Sequence, residues 1–360
     1  MTTGAIAERA RSDIVRLAGS GLNSRALRAR MLDRIRRVVP MDAVFFAGCD
    51  PSTLLFTDVV ADDLLVRLTP QFLRNEFLEE DVNKFRAVAA DPSHVMTLDA
   101  ATSGHRAESA RYREILDPAH LGDEMRVALT VGGVCWGFMC LHRERGSGFS
   151  QSDTVFLQSV ARPIAEGMRA ALLLARLSNP DSNQPGVVLL TDTRELQAAT
   201  PAGLAFLEEL TGAPNPGDLP IPVQTVAARL AARDAGHDGP PPTIRVLSRA
   251  DRWLVIRATH LVEAPGPDRI AVIIEPARPD EFIPLMLRAH RLTPRETEVA
   301  VMVVSGRSTK EIGGQLRLSE NSVQDHLKAV FEKVGVRSRR ELTANLQGQV
   351  RATHRPNTLT

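Results

Sequence analysis

One segment of the chain, Leu318–Gly335, carries hydrogen-bonding side chains at the spacing of a single helical face. Asn321, Gln324, Asp325 and Lys328 would lie together there, where an ordinary solvated helix carries mainly Glu and Lys. Asn and Gln can form paired hydrogen bonds with the edge of adenine, Lys can donate to guanine, and Asp can accept from the amino group of cytosine. This face therefore has the chemistry needed to read base edges in duplex DNA.

The opposite side of the same segment is apolar. Its apolar residues follow positions i, i+4, i+7, i+8 and i+11 of a helix, and they are Val323, Leu327, Val330, Phe331 and Val334. Ser319 can cap the start of this helix and Gly335 can end it. We therefore predict a helix that packs on a core through one side and exposes its polar side.

The neighbouring sequence contains helix-start signals of the capping-box type, in which Ser or Thr is followed three residues later by Glu. The pairs are Thr293 with Glu296, Ser308 with Glu311, and Ser338 with Glu341. Together with the segment above, they predict four short helices within residues 288–350. Such a bundle is too small to enclose an enzyme pocket, but it can present one helix to a partner.

The second and third of these helices form a predicted helix-turn-helix, whose later helix enters the major groove while the earlier one crosses the DNA backbone. Residues 291–360 hold 12 Lys and Arg against 7 Asp and Glu, in a chain whose net charge is only +1. That segregation indicates a nucleic-acid-binding module on a slightly acidic body. The predicted DNA-binding residues, for base edges or phosphates, are Lys310, Ser319, Asn321, Ser322, Gln324, Asp325, Lys328, Arg337, Arg339 and Arg340.

The stretches "LTPRETEV", "GRSTKEI" and "LRLSENSVQDHLKAVFEKVGVRSRREL" closely resemble the DNA-binding domain of LuxR-type (GerE-like) transcription regulators. The resemblance implies that Leu318–Val334 contains the recognition helix and that the helix near Arg339 is a place where two chains pair. One departure is Gly313-Gly314, where the family usually has Ala and a better helix former. Two glycines there could cost on the order of 1–2 kcal/mol of helix propensity.

The remainder of the chain predicts two α+β units. In residues 22–177, two hairpins and a long helix, ending in "VCWGFMCLHRERGSGFSQSDTVFLQSVARPIAEGMR", resemble a GAF domain, a sensory module that commonly holds a small ligand against its sheet. In residues 184–278, "GVVLLTDTRELQAATPAGLAFLEEL" and the alternating strands that follow resemble a PAS domain. The predicted fold class is therefore multidomain: two α+β sensory domains followed by an all-α four-helix helix-turn-helix domain.

The segments between these units are predicted from their composition. Residues 1–21 are expected to form an N-terminal helical segment, and residues 351–360 a flexible tail. Ser178–Gly186 and Glu275–Glu281 are predicted linkers, and Asp234–Pro242 is a predicted loop inside the second unit.

The three cysteines, Cys49, Cys135 and Cys140, predict free, buried thiols in a reducing compartment. Cys135 and Cys140 are five residues apart in a predicted strand, which places them on opposite faces and disfavours a shared disulfide or metal. No metal site, cofactor or catalytic residue is predicted, and no nucleophile motif supports an enzyme. No apolar run is long enough to cross a membrane, and the expected location is cytoplasmic.

These observations predict a transcription regulator that binds double-stranded DNA, acts as a homodimer and has no membrane partner. RNA polymerase and a small-molecule ligand of the GAF-like unit are further candidate partners. The alternative is a DNA-binding regulator whose N-terminal domains are protein-interaction or dimerisation scaffolds without a ligand. The absence of a Walker A loop, of a receiver pattern and of an aromatic-lined pocket leaves the signal unassigned.

Overall fold

A computed structural model of the chain describes residues 3–174, 184–211, 219–261 and 269–346. They form two five-stranded antiparallel sheets with helices, followed by a C-terminal group of helices. The predicted tail 351–360 lies outside the described residues, as does most of the predicted linker Ser178–Gly186.

The first unit is an antiparallel sheet between two layers of helices. Its elements are α1 (Thr3–Ala18), α2 (Ser24–Ile35), β1 (Ala43–Cys49), β2 (Phe56–Ala61), α3 (Asp63–Leu78), α4 (Phe85–Ala90), β3 (Val95–Thr97), α5 (Leu98–Ala101), β4 (Leu121–Val131), β5 (Val134–Glu144) and α6 (Gln151–Leu174). The strand order is β2-β1-β5-β4-β3. Helices α1, α2 and α6 cover one face of the sheet, and α3 and α4 cover the other. The predicted hairpins and long helix are confirmed, and β4 turns into β5 at Gly132-Gly133, both with positive φ.

The prediction that Cys135 and Cys140 lie on opposite faces of their strand is wrong. Leu129 pairs with Gly137 but Thr130 pairs with Cys135, so β5 contains one extra residue at this point. This β-bulge reverses the alternation of side chains. All three cysteines are free and buried, and they share one apolar cluster on the face covered by α3 and α4.

The second unit repeats the strand order of the first. Its elements are β6 (Gly186–Leu190), β7 (Leu196–Ala199), α7 (Pro201–Thr211), α8 (Ile221–Asp234), β8 (Thr243–Leu247), β9 (Trp253–Leu261) and β10 (Arg269–Pro276), with the strands in the order β7-β6-β10-β9-β8. Helix α8 is buried over most of its surface because it packs on this sheet and also against α3 and β2 of the first unit. The two units therefore share a core, and the loop predicted before β8 is present.

The predicted linker Glu275–Glu281 is not a linker. Glu275 lies in β10, and Glu281 lies in the first turn of helix α9 (Pro279–Ala289), so only two residues separate these elements. Arg257 pairs with both glutamates. Phe282 of α9 stacks on Trp253, with ring centroids 6.0 Å apart. Contacts with β9 therefore order a segment whose Pro and charge content suggested a flexible chain.

The C-terminal group contains the four predicted short helices. They are α10 (Pro294–Val304), α11 (Thr309–Leu316), α12 (Glu320–Val334) and α13 (Arg339–Leu346). The boxes at Thr293 and Ser308 each form both predicted hydrogen bonds: the hydroxyl accepts from the Glu amide, and the Glu carboxylate accepts from the Thr or Ser amide. At the third box, Ser338 accepts from the Glu341 amide, but the Glu341 carboxylate accepts from Arg337. No described helix is both long and apolar enough to span a membrane.

Candidate nucleic-acid interface

Helix α12 is held by its apolar side. Val323, Leu327, Val330 and Val334 are buried in the core formed with α10, α11 and α13. Gly335 ends the helix in the left-handed conformation that glycine adopts readily. The core contacts and the caps therefore fix which side of α12 faces outward.

The outward side carries the polar residues predicted from the sequence. Asn321, Gln324, Asp325 and Lys328 are all exposed. Gln324 also contacts α11, since its Nε2 lies 3.4 Å from Thr309 Oγ1. The structure therefore brings together four side chains that can donate to or accept from base edges.

The two serines at the start of α12 bond to each other. Ser319 Oγ accepts from the Ser322 amide at 3.0 Å, and the two hydroxyl oxygens are 2.8 Å apart. Both residues lie at the positive end of the helix dipole, where amide groups and hydroxyls favour an anion such as phosphate.

The turn between α11 and α12 depends on a close backbone approach. Arg317 adopts a left-handed conformation with φ 54°, and the Leu318 amide donates to the Gly313 carbonyl at 2.9 Å. A Cβ at Gly313 would lie 2.8 Å from the Leu318 carbonyl oxygen, whereas a Cβ at Gly314 would meet nothing within 4 Å. The two glycines that depart from the family pattern therefore differ, because only Gly313 is needed for the turn.

The predicted phosphate contacts fall into two groups. Lys310, Arg337 and Arg340 are exposed. Arg339 is partly buried: its Nη1 donates to the Arg307 carbonyl at 2.9 Å and its Nη2 to Thr309 Oγ1 at 2.7 Å. Arg339 is thus engaged in joining α13 to the start of α11.

Sequence reasoning missed two residues of this surface. Thr309 contacts both Gln324 and Arg339, and its position directly after the cap residue Ser308 was the available signal. Arg317 is exposed in the turn itself, beside the start of α12. Both lie next to predicted DNA-binding residues.

An ion pair joins the first helix of the bundle to α12. Lys333 Nζ lies 2.8 and 2.6 Å from the two carboxylate oxygens of Glu296. Burial acts in the opposite direction, but the Lys333 ammonium and the Thr293 amide keep the pKa of Glu296 below its ordinary value. Glu296 therefore caps α10 and positions α12 at the same time.

Comparisons with known proteins identify two parts of the chain. Residues 290–345 match the family model described as "Bacterial regulatory proteins, luxR family", and residues 26–168 match the GAF domain model. Among solved structures, the crystal structure of Escherichia coli SdiA aligns over 94% of this chain and 96% of that chain, at 11% identity and a TM-score of 0.30. The domain assignments rest on the two family models.

Proposed function

Because the chain contains a GAF domain at residues 26–168 and a LuxR-family helix-turn-helix domain at residues 290–345, we propose that it is a transcription regulator that recognises specific sites in duplex DNA. The observation that carries the proposal is helix α12, whose buried side fixes the orientation of an exposed side built from Asn321, Gln324, Asp325 and Lys328.

The polar side chains have different proposed roles. Asn321, Gln324, Asp325 and Lys328 specify sequence through base edges, because each combines hydrogen-bonding groups with exposure. Lys310, Arg337 and Arg340 contact phosphates, with Ser319 and Ser322 at the start of α12, and Arg339 supports that surface. Phosphate contacts set affinity and register, whereas base contacts set sequence preference.

Binding-site selection from a random duplex library tests this division with the full-length protein. Gln324→Ala should relax preference at one position of each half-site and weaken binding to the preferred site by about 1–3 kcal/mol. Lys310→Ala should weaken binding to all sequences about equally. It should also reduce the slope of the logarithm of the binding constant against the logarithm of the salt concentration by about one.

Glu298→Ala provides a matched control, because Glu298 is exposed on α10 and pairs with Arg295 of the same helix. It should leave the selected motif unchanged. If Gln324→Ala preserves the sequence preference while Lys310→Ala alters it, the assignment of α12 as the recognition helix is wrong.

We also propose that two chains bind each site. One short recognition helix reads too few base pairs for a tight, specific site, and paired half-sites solve this problem. Sedimentation of the protein on its selected duplex should give two chains per site. A single chain per site at saturating protein would contradict the proposal.

The GAF domain is proposed to modulate DNA binding. Support comes from α9, which packs against α6 of the GAF domain and against α10 and α13 of the DNA-binding domain. Arg169 donates to the Ala289 carbonyl, and Arg291 pairs with Glu166, so two arginines tie these elements together. A signal that shifts α6 would therefore reach the DNA-binding helices through α9.

Two further assignments remain proposals. Residues 184–278 are proposed to form a PAS-like domain, supported by their five-stranded antiparallel sheet, and RNA polymerase is proposed as a partner at the promoter. The competing function for the N-terminal domains is a scaffold for protein interaction or dimerisation without a ligand. Native mass and absorbance of the purified chain distinguish the two, because a sensory domain isolated with its ligand carries added mass and a scaffold does not.

A further inference from the structure

Three potential metal ligands meet on the face of the first sheet that α3 and α4 cover. Cys140 and His142 are two residues apart in β5 and therefore point to the same face of the sheet. Glu124 of β4 lies directly opposite His142. Their ligand atoms all lie within 4.8 Å of one another, and all three residues are buried. Thiolate, imidazole and carboxylate are the side-chain groups that bind transition metals.

The hydrogen bonding of this cluster is incomplete. His142 Nδ1 is buried and has no hydrogen-bond partner among the described residues, and His142 as a whole is 1% exposed. Cys140 Sγ donates to Glu124 Oε1 at 3.0 Å. A thiol is a weak donor, so this buried carboxylate oxygen accepts only a weak hydrogen bond from it. Buried polar atoms are normally paired, so the orphaned imidazole nitrogen points to a missing partner.

Two arginines orient the carboxylate. Glu124 Oε2 lies 2.7 Å from Arg111 Nη2 and 3.1 Å from Arg126 Nε, which leaves Oε1 directed toward Cys140. Each arginine also has a second acidic neighbour: Asp81 lies 3.8 Å from Arg111, and Glu76 lies 2.7 Å from Arg126. Glu124 is therefore not the only counter-charge for these arginines, and its fixed orientation is typical of a ligand supported by its neighbours.

The cluster also borders a small cavity of about 30 Å³. Phe45, Phe72 and Phe85 line it with apolar surface, and Cys140 and His142 are also among its lining residues. This volume suits about one water-sized molecule. A group held at the cluster could therefore face this cavity.

We propose that Glu124, Cys140 and His142 bind one divalent transition-metal ion, with Zn²⁺ and Fe²⁺ as the best chemical matches and with the open coordination position facing the cavity. Sulfur, nitrogen and oxygen ligands together suit these ions, and three protein ligands leave a position for a small molecule. Binding would replace the thiol proton with the metal, so one thiolate and one carboxylate would neutralise the two positive charges.

Metal binding also requires the separations among the three ligand atoms, which are all within 4.8 Å, to adjust. Metal–ligand bonds of about 2.0–2.3 Å correspond to ligand–ligand separations of roughly 3.5 Å in tetrahedral geometry. The Sγ–Oε1 pair, at 3.0 Å, is slightly closer than this, so these two atoms would separate by a few tenths of an ångström.

The test uses the full-length chain purified anaerobically under reducing conditions, without DNA, so that its result is independent of the proposed regulatory function. Elemental analysis should find about one Zn or Fe per chain. Protein grown in Co²⁺-supplemented medium should show the thiolate-to-cobalt charge-transfer absorption that a Co–S bond produces. Wild-type protein with neither a bound metal nor this absorption would overturn the proposal.

Variants identify the sulfur ligand. Cys140→Ser should abolish the charge-transfer absorption, and His142→Gln should lower the metal content at least tenfold, in line with the loss of a ligand. Cys135→Ser is the matched control, because Cys135 is a buried thiol of the same strand outside the cluster, and it should retain the absorption. Persistence of the band in a folded Cys140→Ser variant, checked by circular dichroism, would overturn the assignment. If that variant does not fold, loss of the band in Cys135→Ser instead overturns it, and retention supports it.

Discussion

At the scale of single residues, the neighbouring arginines Arg339 and Arg340 of α13 differ in their contacts. Arg339 donates two hydrogen bonds to the start of α11, through the Arg307 carbonyl and the Thr309 hydroxyl. Arg340 is exposed to solvent. We therefore propose different roles for these adjacent residues of one type: Arg339 stabilises the domain, and Arg340 contacts phosphates.

This difference predicts opposite outcomes for two alanine substitutions. Arg339→Ala should lower the free energy of unfolding by about 1–2 kcal/mol, because it removes two hydrogen bonds that join two helices. Arg340→Ala should change stability by less than about 0.5 kcal/mol and should reduce the steepness of the salt dependence of DNA binding by about one. Thermal melting and a salt titration of each variant measure both effects, and equal melting temperatures would contradict the role assigned to Arg339.

At the scale of elements, helix α11 contains two glycines with different surroundings. Gly313 lies where the backbone of the turn approaches most closely, and Gly314 is exposed with open space around its Cα. Helix propensity alone treats the two positions alike. The tertiary contact with Leu318 distinguishes them.

Gly314→Ala should therefore stabilise the domain by about 0.5–1 kcal/mol, since alanine restricts the unfolded chain and the new methyl group meets no atom. Gly313→Ala serves as the comparison, because its methyl group would displace the Leu318 carbonyl and cancel that gain. Melting temperatures of the two variants provide the measurement. A larger increase in melting temperature for Gly313→Ala than for Gly314→Ala would show that the backbone of the turn accommodates the added methyl group without loss of stability.

At the scale of the whole molecule, the first two units are joined by a buried ion pair. The Asp50 carboxylate has no exposed surface and accepts hydrogen bonds from Arg245 of the second sheet, with Oδ2 2.9 Å from Nε. The Arg245 amide donates to the same carboxylate oxygen. Together with α8 packed against α3, this pair fixes the two sheets relative to each other.

Arg245→Met should destabilise the full chain by on the order of 3–5 kcal/mol, because it leaves the Asp50 charge buried without its partner. Arg143→Met is the matched control, since Arg143 is as exposed as Arg245 but its partner Asp42 is 42% exposed, and its loss should cost less than about 1 kcal/mol. Thermal melting compares the two. Similar melting temperatures would mean that the interface between the units contributes little to stability.

Local interactions made much of this protein predictable from its sequence. Capping boxes such as Thr293 with Glu296 act within one turn of chain, so helix starts were placed correctly, and the apolar stripe of α12 identified its buried side. The same stripe leaves Gln324 and its neighbours facing outward, which is why the sequence alone predicts the candidate DNA surface.

Only the tertiary structure decided the features that depend on residues distant in sequence. The bulge in β5 depends on its pairing with β4, and it places Cys135 and Cys140 on one face. The meeting of Glu124 with Cys140 and His142 depends on the same strand register. Helix α9 formed where composition predicted a linker, because stacking on Trp253 and pairing with Arg257 stabilise it from outside. Periodicity and caps describe how a segment folds, but long-range pairing determines which segments meet.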